Sequence, residues 1–114
     1  MEDRSLGQLV ELDGEIFDVS NDGLYWVKFE VHEVEASSSR PHGLAYSLTL
    51  HGPNDQRLVG FDTAHPVRPK KRGDQQDHLH VGEHTRPYLY RTAGGLLEDF
   101  WATVESVLRK RGIE

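Results

Sequence analysis

A chain of 114 residues can bury one hydrophobic core and is too short for two. Apolar residues at 36 % and charged residues at 28 %, with a net charge of −6, describe a soluble domain with a modest core and argue against nucleic-acid binding over a broad patch. The absence of cysteine excludes disulfides and thiolate metal sites.

No apolar run approaches the roughly 20 residues needed to cross a bilayer, and the opening MEDRSLGQLVELDGE is acidic, without the basic-then-apolar order of a secretion signal. A single domain over residues 1–114 is therefore expected, cytoplasmic and away from membranes, with residues 1–7 poorly ordered. Residues 1–35 carry ten acidic and two basic side chains. The rest of the chain is mildly basic, which leaves room for a local cationic site.

In chain order, residues 15–20 and 24–35 flank Asn21-Asp22-Gly23, a hairpin signal because these residues tolerate positive φ. Tyr25, Val27, Phe29 and Val31 alternate with Trp26, Lys28, Glu30 and His32, so one face of the second strand is apolar. The alternation slips at Val34. Residues 36–43 read as a loop, and residues 45–51 as a strand with Tyr46, Leu48 and Leu50 on one face. Gly52-Pro53-Asn54-Asp55 is a turn. Residues 57–62 return as a strand whose inner face is ambiguous, because Leu58, Val59 and Phe61 do not share a parity. Residues 66–76 read as an exposed loop, 78–82 as a short extended piece, and 86–91 as a last strand near an edge because of Pro87.

Residues 95–111 predict a helix whose stripe is Leu96, Leu97, Phe100, Val104, Val107 and Leu108. Thr92 is its N-cap candidate and Gly112 its C′ residue, while Gly94 and Gly95 weaken the first turn. Strands followed by one amphipathic helix define an α+β fold: an antiparallel sheet of about five strands with the C-terminal helix on one face and the other face open.

Candidate chemistry gathers in FDTAHPVRPKKRGDQQDHLH, residues 61–80. On an extended backbone, His78 and His80 point to one side. Asp62 and His65 end the preceding strand, and Asp62 and Asp77 are candidates to orient the histidines. Arg68, Lys70, Lys71 and Arg72 place four cations within five positions. Histidines with a neutral-pH proton and cations for phosphate are what metal-free RNA cleavage requires. No cofactor motif is present, and no metal site is required by the spacing. His32, His42, His51 and His84 belong to no evident constellation.

The strings YWVKFEVHEVE, RPHGLAYSLTLHGP, LVGFDTAH, DHLH and RPYLYRTAGGLLEDFW, in that order, resemble the TumE family of bacterial toxin–antitoxin proteins from about Gly23 to Leu108. The family pattern D-N-A-H falls on Asp62-Thr63-Ala64-His65 and D-H-R-H on Asp77-His78-Leu79-His80, so Thr63 and Leu79 depart from it. Leu79 removes a cation from beside the histidines. The resemblance implies a toxin partnered by a cognate helix-turn-helix antitoxin and supplies no catalytic mechanism; the residues of 61–80 themselves suit action on RNA or the ribosome, as a metal-independent ribonuclease. Two other readings stay open: a protein-binding module without catalysis, and a metal-dependent hydrolase using His65, His78 and His80.

Overall fold

The structure is a computed structural model that describes residues 5–36, 42–63 and 77–113. His65, Arg68, Lys70, Lys71 and Arg72, the exposed loop expected at 66–76, and residues 1–4 of the N-terminal stretch lie outside the described residues.

Six strands form one antiparallel sheet in sequence order: β1 (Ile16–Asp18), β2 (Trp26–Glu33), β3 (Leu44–His51), β4 (Arg57–Asp62), β5 (His78–Val81) and β6 (His84–Pro87). Among the described residues two α-helices accompany it, α1 (Leu6–Glu11) and α2 (Ala93–Lys110). The α+β meander holds, with six strands rather than about five. The last expected strand lies earlier than expected. Gly82, at φ +59°, opens a two-residue turn into β6, as a hairpin with glycine in its first loop position requires. Residues 88–91 then leave the sheet.

Alternation sorts the side chains onto two faces. Phe29, Leu48, Phe61 and Leu79 are cross-strand neighbours in one row and are all buried. Phe100 of α2 meets both Phe29 (5.6 Å between centroids) and Phe61 (5.9 Å) edge to face, the preferred geometry for aromatic quadrupoles. The next residues along each strand, Lys28, Thr49, Gly60 and His80, make the corresponding row on the opposite face, which neither helix covers. The ambiguity in β4 comes from a bulge. Leu50 pairs with Val59 but His51 pairs with Arg57, so Leu58 is the extra residue, and both Leu58 and Val59 are buried.

Helix α2 starts two residues before its expected boundary. Thr92 Oγ1 accepts the Gly95 N–H at 2.9 Å, a side-chain cap as anticipated. Gly94 is used for proximity. Its N–H donates to Ser5 Oγ at 2.6 Å, and a Cβ there would stand 3.2 Å from the serine side chain. Helix α1, not anticipated from the sequence, thereby docks on the start of α2 and inserts Leu9 into the core. The C-terminus closes as a Schellman motif: Ile113 N–H donates to Leu108 O, Gly112 N–H donates to Arg109 O, and Gly112 sits at φ +74°. The buried stripe is Ala93, Leu96, Phe100, Val104 and Leu108, with Leu97 and Val107 only partly covered.

Because Phe100 is wholly buried among aromatic rings, Phe100→Ala should lower stability by about 3–5 kcal/mol. Urea denaturation with an unchanged midpoint would contradict this packing.

Candidate functional site

Pairing of β4 with β5 sets Asp62 opposite His78 and Gly60 opposite His80. The two strand ends singled out in the sequence therefore meet on the open face. His78 and His80 share that face, with 6.2 Å between ring centroids. The Asp62 carboxylate lies 3.1 Å from His80 Nε2, and His80 Nδ1 lies 3.1 Å from the Thr85 hydroxyl across the β5–β6 hairpin. A ring held at both nitrogens has a fixed orientation. With its Nε2–H donated to Asp62, the neutral ring aims the Nδ1 lone pair at an exposed hydroxyl, whose place a substrate oxygen can take.

Beside this pair lies a shallow cavity of about 380 Å³, lined by Glu30, His32, Ser47, Arg57, Asp62 and Thr63 among others. Lys28 pairs with Glu30 at 3.0 Å on the same face. Farther along, Trp26 and His51 stack as a cross-strand pair, 4.2 Å between centroids, and His51 Nε2 meets Thr49 Oγ1 at 2.9 Å. Arg57, which no sequence motif singles out, lies over Gly60. A methyl at Gly60 would stand 3.5 Å from its Cδ, 3.6 Å from Nη1 and 3.6 Å from Cδ2 of His80.

Asp77 orients neither His78 nor His80. One residue before His78, it faces the helix-covered side and is 1 % exposed. Its carboxylate accepts the Tyr46 hydroxyl at 2.6 Å and the Nε2–H of His42 at 2.9 Å. His42 Nδ1 accepts the Leu44 N–H at 3.1 Å, which fixes the neutral tautomer and engages both ring nitrogens. Tyr90 lies against His42, 4.5 Å between centroids, and Tyr88 N–H donates to the Asp77 carbonyl at 2.9 Å. This buried cluster ties the start of β3, the start of β5 and the segment after β6 together. It is a brace: the Asp77 carboxylate is enclosed, and the second nitrogen of His42 is taken by a backbone N–H of β3. His42, Leu44 and Tyr46 share a strand parity, which was readable, but their union with Asp77 across 31 residues or more was not.

The two positions that depart from the family pattern differ in place: Thr63 follows β4 and lines the cavity, and Leu79 falls on the covered side. Thr63 Oγ1 accepts the Tyr46 N–H at 3.1 Å, extending the β3–β4 ladder beyond Asp62. Leu79 is buried next to Phe61 in the register, so the side chain at position 79 is not beside the histidines as expected from the sequence. Among the described residues no three potential ligands converge on a metal position, and no helix is long and apolar enough to cross a membrane.

With this sheet, helix and pair of strand ends in view, the chain falls in a class of small α+β toxins. It belongs to the TumE family: the family model described as Toxin TumE matches residues 9–108. Membership supports a toxin role and, in general, an antitoxin partner. No curated protein and no solved structure matches the chain.

Burial, then the neighbouring Asp77 charge, pushes the Tyr46 phenol far above its ordinary value of about 10. The unfolded chain loses that proton near pH 10 and the folded chain keeps it. The associated stability is thus whole below about pH 10 and falls as pH rises beyond it, by up to about 1.4 kcal/mol per pH unit. Tyr46→Phe should cost about 1.5–3 kcal/mol at neutral pH, since it takes a donor from a buried carboxylate, and should flatten the alkaline decline. Denaturation midpoints from pH 7 to 11 check both. Equal alkaline slopes for variant and wild type would remove Tyr46 as their source.

Proposed function

We propose that the chain is the toxin of a two-gene module, acting in the cytoplasm on RNA or on the translation apparatus, and cleaving RNA without a metal ion. The observation that carries this reading is the Asp62–His80 pair beside His78 on the sheet face that neither helix covers. His78 and His80 are the acid and base. One takes the proton of a ribose 2′-hydroxyl, whose oxygen attacks the adjacent phosphorus. The other, as imidazolium, gives a proton to the departing 5′-oxygen, leaving a 2′,3′-cyclic phosphate and a 5′-hydroxyl. Asp62 orients His80. Asp77 is a positioning residue that fixes the backbone immediately before His78 through Tyr46 and His42.

Arg68, Lys70, Lys71 and Arg72 belong to the chain segment that joins Asp62 to His78, which recommends them as phosphate ligands; His65 lies in the same segment and joins the acid/base candidates. The cognate antitoxin, with a helix-turn-helix, would hold the toxin inactive.

Regulated expression in a bacterial host, with total RNA analysed in EDTA, tests the reading. His78→Ala and His80→Ala should each lower cleavage by about 10²–10⁴-fold and relieve growth arrest in variants that still fold, with His80→Ala costing about 1–3 kcal/mol of stability because it takes a partner from the buried Asp62 carboxylate. Cleavage that EDTA abolishes would favour a metal-dependent hydrolase. Full toxicity in both folded variants would favour a protein-binding module. Replacing Lys70, Lys71 and Arg72 by Ala should lower the salt slope of single-stranded RNA affinity by about 2, close to 0.7 for each phosphate that is no longer neutralised.

A further inference from the structure

We infer that Arg57 is an anion-binding residue of the open face and holds a phosphodiester group of single-stranded RNA next to His80. This deepens the RNA reading above and rests on it.

Charge pairing on this face points to Arg57. Lys28 is engaged by Glu30 at 3.0 Å and His80 by Asp62 at 3.1 Å. Among the described residues the Arg57 guanidinium has neither an ion-pair nor a hydrogen-bond partner, although it lines the cavity that also contains Asp62 and Ser47. An arginine fork with its donors unused, in a concave site beside an oriented imidazole, matches two oxygens of one phosphate.

The backbone prepares the position. The bulge at Leu58 shifts the register between Leu50 and His51, which sends Arg57 along the open face. Gly60, one row in from the strand end, has no side chain to block it. The Arg57 stem and the His80 ring flank that gap at 3.5–3.6 Å from where a methyl would be. A phosphate held by Arg57 is therefore one strand spacing, roughly 5 Å, from the histidine row on β5. That is within a nucleotide of the proton-transfer groups. Arg57 is exposed and makes no ion pair among the described residues, so its replacement changes the site and spares the fold.

The test is affinity for a labelled single-stranded RNA across a salt series, using the full chain as wild type, Arg57→Ala, Arg57→Lys and the Lys70/Lys71/Arg72 alanine variant. Arg57→Ala should weaken binding and lower the salt slope by about 0.7, the value for one neutralised phosphate. Arg57→Lys should keep the slope, because the charge remains, but recover only part of the affinity, because the fork is gone. If the wild type binds and Arg57→Ala matches it in affinity and slope while the loop variant does not, Arg57 is not a phosphate ligand and the RNA reading survives without it. If the wild type shows no salt-dependent RNA binding, both fall together.

Discussion

Phe100 of α2 lies edge-on to Phe29 and Phe61 at the centre of one sheet face, and that contact decides what the other face can be. Once the row Phe29–Leu48–Phe61–Leu79 is committed to the helix, the pleat obliges Lys28, Thr49, Gly60 and His80 to point the other way. A register slip of one residue in β4 or β5 would turn His80 into the core and Phe61 into water. The apolar contact is thus also the device that presents the histidines. Burial on one side and the grouping of Asp62, His78 and His80 on the other are two consequences of a single register.

Two aspartates on neighbouring strand ends have contrasting roles in this frame. Asp62 is on the open face and meets an imidazole held at one edge by an exposed hydroxyl. Asp77 is on the covered face, where its charge is surrounded by the hydroxyl of Tyr46 and the Nε2–H of His42. A buried carboxylate needs such donors. Here they come from the start of β3, so satisfying Asp77 also fixes how β3 and β5 approach. The brace explains why the carboxylate of the aspartate directly preceding the candidate histidine is spent on Tyr46 and His42 and not on that histidine's ring.

The strands and the C-terminal helix were legible because their apolar periodicities are long, as in Tyr25–Val31 and Leu96–Leu108. The open-face histidines were legible because i and i+2 on a strand share a side whatever the fold. Helix α1 was not, being six residues with no cap of its own and dependent on Ser5 reaching Gly94. The roles of His42 and Arg57 were equally hidden. The first depends on a partner 35 residues away, and the second on a bulge that reassigns the parity of β4. Proximity of Asp77 to His78 in sequence misled for the same reason that the histidines were found: adjacent strand residues face opposite ways.

The central claim is that the sheet face that neither helix covers is where this toxin meets its target. Imidazole resonances of the seven histidines, followed by NMR as single-stranded RNA is added, address it directly. Signals of His78 and His80 should shift together while that of His42, enclosed with Asp77 and Tyr46, stays in place. Shifts concentrated on His42, or on the helix-covered side with His78 and His80 unmoved, would contradict the account.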